Sequence, residues 1–299
     1  MARISIITRT IDRPRLLART LDSLLAQTFA DWELVIVNGG TEEGLEASLG
    51  PRRAQLGERV KVHRFQNPRP GMRGVPINEG VRHSSSPLIT VLDDDDTWEP
   101  DFLDTMIRGL DAAPADVGGI VCQTQIIEES SVEEGLNVQR TYPLNDDLQN
   151  VTLARVAVVN AFCIHAFVYR REVFDAIGGY SEALPVLEDW DFNLRFLCHS
   201  DLVVIPRILT HYHLRPAVKS GHEANSQNAE FDLHKFYESR IINAAMRDAS
   251  NPVLGQAMAS AAHTRWLERR IHSVESKLKS AADKIGKIDS RTKELKDRR

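Results

Sequence analysis

Apolar residues in the first two hundred positions fall into two rhythms, and their alternation is the main structural signal in the chain. Short runs at 4–7, 32–37, 60–65 and 87–92 predict strands, the most apolar of them buried on both faces. Between the first two, Leu17, Leu21, Leu24 and Leu25 recur on one face of a predicted helix over 14–27, which starts on Pro14. Shorter helical patterns follow at 76–83 and 100–110. Further on, 118–127 and 166–169 read as strands, and Arg171–Ile177 as a helix closed by Gly178 and Gly179. A helix over 189–198 and short strands at 203–205 and 208–213 complete this part, while the polar, acidic residues 128–150 read as a loop and helices dominate from about Asn228. The order of elements predicts an α/β protein with a mainly parallel sheet covered by helices.

A third rhythm begins late. Leu267, Ile271, Val274, Leu278, Ala281, Ile285, Ile288, Thr292 and Leu295 alternate steps of four and three, which is a heptad seam. In a parallel pairing, Arg270 meets Glu275 and Lys284 meets Asp289, Lys277 faces the neutral Ala282, and Arg291 opposes Lys296. Attraction outweighs repulsion, so the pattern predicts a parallel homo-oligomer through 267–295. An amphipathic helix packed on its own domain, or a basic helix lying on a membrane surface, are the alternatives. The expected layout is one domain over 1–225, a helical extension over 226–264 and a coiled-coil oligomerisation segment over 265–299.

Charge sharpens this division. The 299-residue chain carries a net charge of −5, but residues 265–299 hold twelve Lys/Arg against six Asp/Glu, or +6, which leaves −11 on residues 1–264. An acidic body argues against nucleic acid as a main ligand. Cys122, Cys163 and Cys198 are odd in number, far apart and without a CxxC pair, which predicts core thiols in a reducing compartment rather than a disulfide framework or a structural zinc site. The apolar run at 4–7 passes at once into Thr8, Arg9 and Thr10, unlike a secretory leader. Residues 156–169 are interrupted by Asn160 and His165 and are too few to span a bilayer. The expectation is a cytoplasmic protein, at most peripheral at the inner face of the membrane.

Candidate chemistry centres on Asp93, Asp94, Asp95 and Asp96, which directly follow the strand at 87–92. Crowded carboxylates either point into water or share a cation, and the C-terminal end of a strand in an α/β sheet is where ligands bind. A calcium loop of the EF-hand type is excluded, because counting from Asp93 puts Trp98 where Gly is required and Asp104 where a bidentate Glu is required. Other groups accompany the acidic run. Residues 9–14 and the Asn38-Gly39-Gly40 turn close the first two strands, Arg69 and Arg73 flank Gly71 and offer cations to a pyrophosphate, Glu188-Asp189-Trp190-Asp191 opens a helix, and His211-Tyr212-His213 ends a strand.

Together these residues resemble glycosyltransferase family 2, the nucleotide-sugar-dependent enzymes of the GT-A fold. The resemblance starts at Ile4-Ser5-Ile6-Ile7, continues through Leu21-Asp22-Ser23-Leu24-Leu25 and Leu92 to Asp101, and resumes at 169–174, 178–180 and 188–191. It implies an inverting, non-processive glycosyltransferase in which Thr10, Arg9 and Asn38 line the nucleotide pocket and Arg73 approaches the diphosphate. Asp93 and Asp94 would hold ribose or sugar, and Asp95, with Asp93 and His213, would bind Mn²⁺ or Mg²⁺. Asp189 would be the general base, with Glu188 and Asp191 as alternates. Helix-terminal acids answering the dipole, and a structural histidine, are the plainer readings of Asp189 and His213.

Departures from the family pattern matter too. An acidic residue common after the second strand is missing, which leaves UDP, dTDP or GDP open as the donor nucleotide. The Gln-x-x-Arg-Trp of processive members is reduced to Arg265-Trp266. The implied partners are a nucleotide-sugar donor and a hydroxyl of a glycan or lipid-linked acceptor, in cell-surface polysaccharide synthesis. A sugar-nucleotidyltransferase and an inactive GT-A-like scaffold held together by its coil are the competing readings; the former is disfavoured by the absence of Gly from residues 8–14.

Overall fold

The computed structural model describes residues 2–225 and 231–297. Its first half alternates strands and helices: β1 (Ile4–Thr10), α1 (Pro14–Leu25), β2 (Trp32–Asn38), α2 (Glu42–Leu49), α3 (Arg53–Leu56), β3 (Val60–Arg64), α4 (Gly74–Arg82) and β4 (Leu88–Val91). There follow β5 (Thr97–Trp98), α5 (Phe102–Ala112), β6 (Val117–Glu129), β7 (Val138–Pro143), α6 (Leu153–Val158), β8 (Phe167–Arg170), α7 (Arg171–Ile177), α8 (Glu188–Leu197) and β9 (Asp201–Leu214). Helices α9 (Phe231–Arg247) and α10 (Pro252–Asp297) end the described chain.

The strands form one mixed sheet in the order β3-β2-β1-β4-β8-β6-β9-β5, with β7 added alongside β6. Parallel pairing joins β3, β2, β1 and β4, as expected for βαβ units, whereas β8 runs antiparallel between β4 and β6. Period-two alternation divides the core. Ile4, Ile6, Leu34 and Ile36 pack on one side with Leu17, Leu21 and Leu24 of α1 and Phe102 and Met106 of α5. Ile7, Val35 and Val37 point the other way, toward Ile77 and Val81 of α4 and the aromatic cluster of Phe167, Tyr169, Phe192 and Phe196.

Helices α2, α3 and α6 and strands β5, β7 and β9 depart from the sequence reading. Helix α2 follows the Asn-Gly-Gly turn because Thr41 caps it, its Oγ1 accepting the Gly44 N–H at 3.1 Å. Strand β7 occupies part of the stretch read as a loop; almost all of its residues are exposed, so no apolar alternation marks it. The two short strands at 203–205 and 208–213 are one long β9, whose register against β6 shifts between Cys122 and Thr124.

Helices α9 and α10 add Ile241, Ala245, Leu254, Met258 and Ala261 to the core on the α6 and α8 side. The boundary expected at 264/265 lies inside the continuous helix α10, and Asn228 falls outside the described residues. Leu267, Ile271, Val274 and Leu278 of the heptad seam are exposed on α10; the side chains of its later positions lie outside the described residues. Among the described residues, no helix is long and apolar enough to cross a membrane.

Candidate functional site

Strand β1 lies between β2 and β4, so the chain turns to opposite sides as it leaves successive strands, and a crevice opens at their C-terminal ends. Thr10 stands beside Asn38 and Ile7 beside Val91, which puts residues 8–13, the turn after β2 and the tetra-aspartate on one edge. A cavity of about 450 Å³ occupies that edge. Its walls include Arg9, Thr10, Arg13, Arg73, Asp93, Asp94 and Asp95, with Phe65, Met72 and Tyr212 as apolar surfaces. Polar groups converging in an apolar cleft of this size suit a drug-sized, charged ligand.

Each aspartate is held differently. Asp93 Oδ1 accepts from Arg9 Nε at 3.2 Å. Asp94 takes Thr10 Oγ1 at 2.7 Å and Arg13 Nη1 at 2.9 Å, yet burial, with the neighbouring Asp95 charge, pushes its carboxyl up to about 6 against the pull of Arg13. Burial acts on Asp95 in the same sense, but there the guanidinium groups of Arg13 and Arg215 prevail and hold it below the usual carboxylate range. Asp96 turns inward, pairing with His165 Nδ1 at 2.9 Å and accepting the His213 N–H at 3.0 Å.

Behind the aspartates lies a buried network that sequence reasoning missed. Arg215, with no exposed surface, donates to Asp95 and, at 3.0 Å, to Glu129. Glu129 also receives Arg19 Nη1 at 2.7 Å. Arg215 is 86 positions from Glu129 and 120 from Asp95, and the pairing of β6 with β9 brings it to Glu129; in the sequence Glu129 sits in the stretch read as a loop, and Arg215 belongs to no motif.

Five expected site residues, Asn38, Glu188, Asp189, Asp191 and His213, are not on the cavity wall. Asn38 turns into its own loop, accepting the Gly40 N–H at 3.0 Å and donating to the Thr41 carbonyl at 3.2 Å, so its neighbour Gly39 contributes the wall in its place. Gly40 has no room for a side chain, because a Cβ there would lie 2.6 Å from Asp12 Oδ1. His213, expected as a metal ligand, is buried with Nδ1 3.1 Å from Glu129 and Nε2 3.0 Å from Thr97 Oγ1, so both ring nitrogens face protein partners. Arg69 likewise reaches the Glu182 carbonyl, at 3.4 Å, outside the cavity wall.

The Glu-Asp-Trp-Asp group opens α8, preceded by Leu187 in the left-handed conformation at φ 63°, a strained setting of the kind concentrated at functional positions. Glu188 Oε1 receives Arg9 Nη1 at 2.9 Å. Since Arg9 also holds Asp93, it ties the first turn of α8 to the acidic run. Burial lowers the basicity of Arg9, but the Asp93 and Glu188 carboxylates outweigh it and raise its pKa. Asp191 faces away, paired with Arg195 one helical turn on at 2.8 Å. Among the described residues Asp189 has no cation as a hydrogen-bond partner: Asn160 Nδ2 donates to Oδ2 at 2.7 Å and the Trp190 N–H to Oδ1 at 2.8 Å. Burial and the adjacent Glu188 charge push it up to about 6. Asn160, which the sequence marked only as a break in an apolar stretch, is itself oriented by Asn193 Nδ2 at 2.9 Å.

The family model described as "Glycosyl transferase family 2" matches residues 5–178, more than half of the chain. The chain belongs to glycosyl transferase family 2. A "PGL/p-HBAD biosynthesis glycosyltransferase" of Mycobacterium bovis is 31% identical over 212 residues, covering 69% of this chain and 73% of its own. Among solved structures, S. aureus TarS 1-349 in complex with UDP-GlcNAc superposes with a TM-score of 0.63 at 17% identity, covering 87% of this chain and 71% of its own. The mannosyltransferase PcManGT of Pyrobaculum calidifontis, in complex with GDP-Man and Mn2+, gives 0.60 at 16% identity, covering 88% and 73%. Both likenesses confirm the GT-A-like fold of this family 2 glycosyltransferase.

Proposed function

We propose that this glycosyltransferase is metal-dependent and inverting, moving a sugar from UDP, GDP or dTDP to a hydroxyl of a glycan or lipid-linked acceptor in cell-surface polysaccharide synthesis. The observation that carries the reading is Arg9, whose single guanidinium spans Asp93 at 3.2 Å and Glu188 at 2.9 Å and so couples the cavity to the helix bearing Asp189. The roles assigned to individual residues are part of this proposal.

The diphosphate would lie toward Arg73 and Arg13, cations that offset its charge. Asp93 and Asp95 fit a divalent cation: both line the cavity and offer hard oxygen atoms, and Mg²⁺ or Mn²⁺ typically takes one or two carboxylates with the rest from phosphate and water. When bound, such a cation supplies Lewis-acid neutralisation of the departing diphosphate. His213, committed to Glu129 and Thr97, is not assigned as a ligand. Asp189 takes the proton of the acceptor hydroxyl as its oxygen attacks the anomeric carbon; the bond from that carbon to the diphosphate oxygen breaks on the opposite face, and configuration inverts. With Glu188 held by Arg9 and Asp191 by Arg195, Asp189 is the carboxylate best suited to act as base. The donor classes are supported by what TarS and PcManGT hold in their structures, UDP-GlcNAc in one and GDP-Man with Mn2+ in the other.

The test is a thermal-shift screen of UDP-, GDP- and dTDP-sugars with and without Mn²⁺, followed by donor hydrolysis with the best binder. A donor raises Tm by mass action; Asp95→Asn loses the Mn²⁺-dependent part, and Asp189→Asn keeps binding but loses turnover by ~10²–10⁴-fold. Donor binding that ignores both Mn²⁺ and Asp95 sinks the metal-dependent reading.

A further inference from the structure

Strand β3 is the edge of the sheet next to β2, and α4 packs across β1 and β2 beside it. His63 projects from β3 toward the last turn of α4, where Glu79 and His83 lie one helical turn apart on the same face. The two imidazoles stack with centroids 3.9 Å apart. Their Nε2 atoms both turn to one atom, Glu79 Oε1, at 3.0 Å from His63 and 3.1 Å from His83, and the three donor atoms lie within 4.8 Å of one another. The second carboxylate oxygen, Oε2, is taken by Arg82, through Nε at 3.0 Å and Nη2 at 2.5 Å.

We propose that His63, Glu79 and His83 form a Zn²⁺ site separate from the donor cavity. Ligands at Zn–N and Zn–O distances of about 2.0–2.1 Å in a tetrahedron sit about 3.3 Å apart, close to the 3.0 and 3.1 Å that separate each Nε2 from Glu79 Oε1; the two rings must also turn out of their stack so that their lone pairs converge on the ion. Two imidazoles and one carboxylate select zinc or a similar transition metal over the Mg²⁺ or Mn²⁺ suited to the all-oxygen aspartates. Arg82 acts as an outer partner, orienting the carboxylate so that Oε1 faces the imidazoles. Its own side chain is 57% exposed, so water screens its charge from the ion. His83 is also exposed, which gives the metal a route in and leaves a coordination position for water.

Bound there, the ion fastens an edge strand to α4. The chain leaves β3 into Phe65, and α4 begins directly after Arg73; both residues line the cavity. The same staple therefore fixes two pieces of the cavity wall from outside. Cysteine spacing gave no sign of zinc in the sequence, and a single histidine on a strand with a Glu-x-x-x-His pair sixteen residues later forms no familiar motif.

The test is calorimetric titration of the metal-stripped full chain with Zn²⁺, with Co²⁺ absorbance as a report on tetrahedral geometry, for wild type, His63→Ala, His83→Ala and Asp95→Asn. One equivalent of Zn²⁺ is expected to bind and to raise Tm in wild type and Asp95→Asn. Both histidine variants should lose affinity by at least ~10–100-fold, the range already seen on losing an outer-shell partner. Wild-type affinity in either histidine variant, loss of the Zn²⁺ isotherm in Asp95→Asn, or no saturable binding to wild type overturns the site.

Discussion

Burial pushes the Asp94 and Asp189 carboxyls both up to about 6, but their neighbours differ. A general base must be deprotonated, so kcat/KM should rise with pH through about 6 and then level off. Asn160 touches Asp189 and holds its pKa down. Asn160→Ala should therefore move the acid limb to higher pH; a limb that stays in place assigns it to Asp94 or another group. Arg215 makes a second residue-scale prediction. Removing one member of a buried ion network leaves the others uncompensated at a cost of about 3–5 kcal/mol. Arg215→Met should lower stability by roughly that amount in urea unfolding. A loss below ~1 kcal/mol would mean that water reaches Asp95 and Glu129 readily.

At the scale of elements, the parallel half of the sheet was legible because two residue periods write it: Ile4, Ile6 and Ile7 divide between faces, and α1 carries its leucines on one side. Strand β7 was not, since an exposed edge strand needs no apolar alternation. One polar contact inside the sheet has a pH signature. Glu33 on β2 accepts from Ser5 on β1 at 2.6 Å and from Lys61 on β3 at 2.6 Å, linking three strands. Burial alone would raise its pKa, but Lys61, Ser5 and the Ser85 N–H overcome this and lower it from 4.5 to about 2. A depressed folded-state pKa stabilises the fold above about 4.5, and that contribution is lost as pH falls toward 2. Glu33→Gln should flatten the pH dependence of stability in this window; equal slopes for variant and wild type would show that the contact contributes nothing there.

For the whole molecule, α10 joins two roles. Its start packs into the core through Met258 and Ala261, and Arg265 Nη1 donates to the carbonyls of Ala157, at 3.1 Å, and Val158, at 3.2 Å, next to the segment that carries Asn160. Farther on, Leu267, Ile271, Val274 and Leu278 are exposed, and an apolar stripe of this kind gains by pairing with a second copy. A chain ending at Trp266 keeps the Arg265 contacts and removes the heptads. Sedimentation should give it a monomer mass and the full chain a multiple; equal masses would reassign the heptads to packing within one chain or to a membrane surface.

The sequence alone determined the alternation of elements, the acidic run at a strand end and the Glu-Asp pair at a helix start, because each is encoded by residues adjacent in the chain. Tertiary structure decided where those groups point. Asn38 and His213 stand in expected positions, yet their side chains are consumed by neighbours that no local pattern reveals. Conversely, Arg9 joins residues 93 and 188, Arg215 joins 95 and 129, and His63 meets 79 and 83 through strand pairing and helix packing over long separations. A side chain's ligand is set by the competition among all donors and acceptors within reach, and that set exists only once the chain has folded.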